Sequence, residues 1–221
     1  MPSNKPTPSH APDLSSLKPL LRVPTHHLGE IVLQFAHTLL RDDKSHLRNL
    51  PETSKSWFHT TLPNPGTTYS QTYSPTIWQC ALFGALLLLK RYYGIWGPEE
   101  GRLTYSSENA IAKVAAAMQV SLAQISGTKP DTAAWSAHFQ VDLQLLRKFS
   151  HELINGFDGD TRIERKYLEL FMGDVIREYE SAKGKGNFST IVRGNELGRS
   201  KYGGPTRAEV LNRVYSTPQR K

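Results

Sequence analysis

The chain has 221 residues, 38% of them hydrophobic, a single cysteine and a formal net charge of +7. That length suits one domain of ordinary size with tails, or at most two small domains, and one cysteine excludes an internal disulfide framework and gives no sign of an oxidising compartment. The charge is unevenly placed: residues 183–221 hold nine basic and two acidic residues and carry the whole surplus, while residues 1–182 hold eighteen of each.

Residues 1–24 are rich in Pro, Ser, Thr and Lys, and prolines at positions 2, 6, 8, 12, 19 and 24 deny any helix room to settle, so they read as a disordered arm. Leu14, Leu17, Leu20 and Leu21 recur in it at the spacing of a short helix that has no core to bury against. The arm is therefore expected to dock on another copy of the chain. Thr25 is placed to cap a helix over residues 26–40, along which Leu28, Ile31, Val32, Phe35, Leu39 and Leu40 share a face. His26 and His27 fall in its first turn and read as solvated or capping side chains. Residues 51–75 show no periodicity and are long for a connection, with Trp57-Phe58 expected to pin their middle to the body.

The stretch from Thr76 to Trp96 is apolar on every side of a helical wheel, and such a helix must be covered all round. Ser74 offers a capping hydroxyl, Pro75 suits the first helical position, and Gly94 and Gly97-Pro98 are stop signals. The unbroken apolar run from Ala81 to Leu89 contains Gly84 and is closed by Lys90-Arg91, well short of the roughly 20 residues a bilayer span requires. A buried central helix holding Cys80 as a core thiol is expected. The alternative is a membrane anchor, with Trp78, Tyr92, Tyr93 and Trp96 at the interface and Lys90-Arg91 at the headgroups.

Three further helices follow. Ser106 or Ser107 with Glu108 opens one whose Ile111, Val114, Ala115, Met118, Leu122 and Ile125 form a stripe, closed by Ser126-Gly127. Asp131 caps a second, with Trp135, Phe139, Leu143, Leu146, Phe149 and Leu153 on one face up to Asn155-Gly156. Thr161-x-x-Glu164 is a capping box for a third, which turns Ile163, Tyr167, Leu170, Phe171, Val175 and Tyr179 inward and runs to about Lys183. No stretch alternates with a strand's period. The expected fold is all-α, a helical bundle of residues 25–183 around the central apolar helix. Residues 184–221 form a basic tail rich in Gly, Arg and Lys, interleaved with Phe188, Tyr202 and Tyr215. Near its end Thr206 and Glu209 make another capping box for a short helix bearing Val210, Leu211 and Val214, which needs a surface to dock on.

Chemistry-bearing constellations are few. Asp158-Gly159-Asp160 with Glu164 is a cluster of carboxylates, but Arg162 and Arg165 lie beside it and helix N-termini favour acids, so no metal is expected. His138 and His151 have no nucleophile pattern near them. Gly184-Lys185-Gly186 lacks the spacing of a phosphate-binding loop. No catalytic residue and no cofactor is expected. A basic tail with aromatic rings is instead the combination that neutralises phosphates and stacks unpaired bases. On the body, Arg147-Lys148 and Arg162, Arg165 and Lys166 are placed to line a groove meeting that tail.

Two segments carry a resemblance to the coat proteins of flexuous filamentous plant viruses of the potyvirus and potexvirus type. Ser126-Gly127-Thr128-Lys129-Pro130-Asp131 with Trp135 resembles their glycine-containing turn, and Leu146-Arg147-Lys148-Phe149 resembles the segment with their RNA-binding arginine. The likeness spans residues 106–155, and Asp174 is the nearest counterpart of their aspartate, at a different spacing. Trp135, Phe139 and Tyr167-x-Glu169-Leu170 also resemble helical capsid domains of retrotransposon Gag proteins.

The resemblance implies a viral coat or nucleocapsid protein that binds single-stranded RNA and self-assembles into a helical ribonucleoprotein, found in the virion and host cytoplasm. Homo-oligomer contacts would come from the amino-terminal arm and the last helix. The expected RNA-binding residues are Arg147, Lys148, Lys183, Lys185, Arg193, Arg199, Lys201, Tyr202, Arg207 and Arg213. The alternative is a membrane-associated viral movement or accessory protein anchored through residues 77–96.

Overall fold

An apolar helix needs cover on every side, and this chain supplies it from elements both before and after the helix in sequence. The computed structural model describes residues 24–39, 56–62, 73–96, 107–184, 188–193 and 201–216. In chain order these form α1 (Thr25–Leu39), one π-helical turn (Trp57–Thr61), α2 (Pro75–Trp96), α3 (Ser107–Ser126), α4 (Thr132–Phe139), α5 (Leu143–Gly156), α6 (Arg165–Ser181), α7 (Ser189–Arg193) and α8 (Arg207–Ser216). No strand occurs among the described residues, and the fold is all-α. The arm up to residue 23 and the caps expected from Thr25 and from Ser106 or Ser107 lie outside the described residues and side chains.

The central helix α2 starts as its sequence implies, with the Ile77 amide donating to Ser74 Oγ at 3.2 Å and Pro75 in the first helical position. It packs against α1, α3, α5, α6 and α8. Every residue from Cys80 to Tyr93 is buried. Its principal partner α3 is equally enclosed, from Ala112 to Leu122 without a break, rather than along a single stripe. Small residues allow that closeness: a Cβ at Gly84 would lie 2.1 Å from Ser121 Oγ, so the two helices approach where a side chain is missing. Two enclosed helices side by side make the core, at about 1.5–3 kcal/mol for each large apolar side chain removed from water.

Lys90-Arg91 closes the apolar run in sequence, yet the pair lies within the covered part of the helix and not at a headgroup-facing surface. Both side chains are inside, 5% and 7% exposed, and α2 continues to Trp96. Lys113 of α3 is enclosed as well, at 3%. Burial pushes the Lys90 and Lys113 amines down from 10.5 to about 8, with the neighbouring Arg91 charge adding to the effect on Lys90 and the Glu152 charge opposing it on Lys113.

The remaining helices close round this pair. Within the segment that showed no periodicity, Trp57 and Phe58 are buried, and Trp57 Nε1 donates to the Phe139 carbonyl at 2.8 Å. Trp78 Nε1 in turn donates to the Leu62 carbonyl at 3.1 Å. α1 crosses the π-helical turn at Gly29, where a Cβ would meet the Phe58 carbonyl oxygen at 2.2 Å. The helix predicted from Asp131 to Asn155 is two. Gln140 takes a left-handed φ of 53°, Val141 passes its carbonyl to Ser136 Oγ at 2.6 Å, and Asp142 caps α5 through the Leu145 amide at 2.8 Å. Asp142 was the available signal for that break, since Asp favours caps over helix interiors. The Asp131 cap holds, with the Ala134 amide at 2.7 Å. The Thr161-x-x-Glu164 capping box does not form. α6 begins only at Arg165, Glu164 makes no side-chain cap, and Thr161 is buried and accepts from Gln124 Nε2 at 3.3 Å.

Candidate nucleic-acid interface

α5 buries Leu146, Phe149 and Leu153, so its 3.6-residue period turns Gln144, Arg147, Lys148, His151 and Asn155 outward. Arg147 and Lys148 are exposed, and no acid among the described residues forms an ion pair with either. His151 Nδ1 lies 3.1 Å from Asn155 Nδ2 one turn further on. These two cations therefore stand on a rigid, packed helix with their charges open to a polyanion. Arg162, Arg165 and Lys166, expected beside them, are instead matched with acids: Asp160 at 2.9 Å, Glu169 at 2.7 Å and Glu164 at 3.0 Å. Each such pair adds only about 0–1 kcal/mol, yet together they leave that stretch without a positive excess. Of the loop carboxylates, Asp160 takes Arg162 and, at 3.7 Å, Arg213 of the tail, and Glu164 takes Lys166.

The tail is folded back on the body wherever it is described. Phe188 is fully buried and packs against Phe35, and Val210 of α8 is fully buried too. α8 opens with the capping box read from its sequence: the Thr206 amide donates to Glu209 Oε2 at 2.7 Å and the Glu209 amide to Thr206 Oγ1 at 3.2 Å. Tyr202, expected as a stacking ring for bases, is 3% exposed, edge-on to Phe171 at 5.2 Å and 5.4 Å below the Lys90 amine. Rings so enclosed have no free face for stacking, so Phe188 and Tyr202 anchor the tail to the body, contrary to the stacking role expected for Tyr202.

Two polar centres hold the tail. Arg91 donates through Nη1 to the Arg162 carbonyl at 2.8 Å and through Nη2 to the Tyr202 carbonyl at 2.7 Å. Burial lowers its guanidinium to about 10, offset by the charges of Glu164, Asp160 and Tyr167, so it stays charged and keeps both bonds at neutral pH. Asp174 is the second centre, its Oδ2 accepting from Lys201 Nζ at 2.7 Å and Tyr202 Oη at 2.8 Å while Oδ1 accepts from Arg177. Partial burial alone would raise this carboxyl; the bonds from Lys201, Tyr202 and Arg177 outweigh it and hold it below 3.8. Neither centre was legible, because every partner but Arg177 is 27 to 111 residues away in the chain.

No family model matches the chain, and comparisons with curated proteins and with solved structures give no match.

Of the remaining expected RNA contacts, Lys183 is exposed just past α6 in a left-handed conformation, where the helix dipole favours a cation. Arg207 is exposed in the first turn of α8. Lys201 and Arg213 each face a carboxylate, Asp174 at 2.7 Å and Asp160 at 3.7 Å, and both stay partly exposed. Lys185 and Arg199, and the side chain of Arg193, lie outside the described residues.

The tail's fold-back depends on two consecutive glycines. Gly203 and Gly204 have φ of 67° and 95°, and a Cβ at Gly204 would lie 2.8 Å from Arg91 Cδ and Nε. Gly204→Ala is expected to combine backbone strain with that collision, costing about 1–3 kcal/mol in tail docking. Limited proteolysis should then cut within residues 201–216 well before the body; a cleavage pattern unchanged from wild type would show that Arg91 does not hold the turn.

Proposed function

We propose that this chain is a non-enzymatic coat or nucleocapsid protein that binds single-stranded RNA and polymerises along it. The observation that carries the proposal is the open cation pair Arg147-Lys148 on the outer face of α5, on a body whose charges sum to zero with the pair included, while the chain's surplus lies in the tail. Phosphates are attracted by that surplus and meet a fixed, uncompensated pair on a helix that cannot collapse away from them. The resemblance around residues 126–149 points to the same segment. A membrane-anchored role has less support, since Lys90 and Arg91 are enclosed by protein and no helix among the described residues is long and apolar enough to cross a membrane.

Deleting the tail is not the experiment to make, because Phe188, Tyr202 and Val210 belong to the core. Charge substitution leaves the fold intact. Binding to a poly-U oligomer, followed by fluorescence anisotropy over a salt series, should give log affinity falling with log salt by about 0.7 per phosphate contact. Arg147→Gln with Lys148→Gln should flatten that slope by about 1.4, the loss of two contacts. A protein that ignores the oligomer at low salt, or a double variant with an unaltered slope, would overturn the proposal. Electron microscopy of the purified protein with bound RNA checks polymerisation separately.

A further inference from the structure

A cleft of about 360 Å³ opens beside Asp174, walled by α6, by α7 and by Lys201-Tyr202 of the tail. That volume falls in the range of small-ligand sites, about the size of one nucleotide. Its lining combines opposite chemistries. Arg177 and Lys201 converge on Asp174, which fixes both heads while each keeps further N–H donors for a second acceptor. Both remain largely exposed, so an anion reaches them without unfolding anything. Glu178 also lines the cleft, as do the Thr190 hydroxyl and the apolar side chain of Ile191. A bare anion would gain from the two cations but face the Asp174 and Glu178 carboxylates, which leave the cleft with no net charge. A ligand with a phosphate at one end and hydroxyl donors at the other satisfies both signs.

We infer that this cleft binds a single ribonucleotide, with the phosphate on Arg177 and Lys201 and the ribose hydroxyls donating to Glu178. The inference deepens the RNA-binding proposal and rests on it for the strand that would deliver the nucleotide, though the cleft is distinct from the α5 face. Asp174 acts as a positioning residue, holding the two cations on the two oxygens of one carboxylate. Ile191 supplies an apolar wall against the sugar. Discrimination between RNA and DNA follows from Glu178, because a carboxylate that accepts from a 2′-hydroxyl loses that bond with a deoxynucleotide.

The full-length protein is titrated with uridine monophosphate, deoxyuridine monophosphate, uridine and inorganic phosphate, following the Arg177 side-chain and Thr190 amide signals by NMR. Uridine monophosphate should saturate these signals, and the deoxy form should bind about tenfold more weakly, the loss of one charge-assisted hydrogen bond. Uridine should barely move them. Arg177→Gln should weaken the monophosphate about tenfold while leaving thermal unfolding near wild type, because Arg177 is on the surface. Glu178→Gln should narrow the gap between ribo and deoxy forms. No saturable shift, or a shift unaffected by Arg177→Gln, would overturn the site; inorganic phosphate binding as tightly as the nucleotide would reduce it to an unselective anion trap and overturn the assignment. Failure of poly-U binding in the α5 double variant with nucleotide binding retained would leave the cleft standing, and intact poly-U binding with no response to the monophosphate would remove the cleft alone.

Discussion

Leu87→Ala is expected to lower the free energy of unfolding by about 2–5 kcal/mol, read from the midpoint and slope of a urea titration. Leu87 has no exposed surface and neither do Leu86 and Leu88, so the missing atoms would leave a cavity that α2 cannot close by tilting one face outward. The other helices are held by their own contacts to the same pair, which limits relaxation and favours the upper part of that range. Gly94→Ala in the same helix is the control. A Cβ there meets nothing within 4 Å, so the change should stabilise by about 0.5–1 kcal/mol through chain entropy alone. A loss of only a few tenths for Leu87→Ala would mean that the run faces solvent or lipid.

The second large effect is a rise in stability with pH where most proteins level off. Folding lowers the Lys90 and Lys113 amines from 10.5 to about 8, so between those values the unfolded chain binds more protons. The destabilisation is fully present below pH 8 and is relieved as pH rises from there, by on the order of 3 kcal/mol for each lysine once complete. The groups facing Lys113 are Tyr93 Oη at 3.4 Å, the Phe149 ring and the Glu152 charge; those facing Lys90 are the Tyr202 ring and Arg91. Cys80 works in the opposite direction, because burial pushes its thiol from 9.0 to about 12 and the unfolded chain loses that proton first. Stability should therefore climb most steeply between pH 8 and 9 and more slowly above it. Lys113→Met, which keeps the length of the stem and removes the charge, should raise the melting temperature at neutral pH and reduce the climb. A melting temperature that falls steadily from pH 7.5 to 9.5, a range of about two units around the lysine midpoints, would show that the amines are hydrated in the folded state.

The all-α class and the order of the strong helices were legible because they are local. Ser74 and Pro75, Asp131, and Thr206 with Glu209 act within one turn of the helix they start, and apolar spacing of three and four residues reports a buried face directly. The same local logic misplaced the boundaries at Gln140 and Thr161. At Gln140 the one local sign of the break was Asp142, two residues on, whereas at Thr161 the missing cap is met by Gln124 of α3, which no neighbour in sequence announces.

At the candidate sites the division is sharper. Sequence alone determined that the surplus charge is in the tail and that Arg147 and Lys148 lie on the polar side of an amphipathic helix, since charge counts and helical period need no partner. Only the tertiary structure decided that Lys90, Arg91 and Lys113 are enclosed, that Phe188 and Tyr202 are anchors, and that Arg177 and Lys201 meet on Asp174. A basic or aromatic side chain has the same identity on a surface and in an interior. Which it becomes depends on whether chain many residues away returns to cover it, and that return is a property of the packed fold.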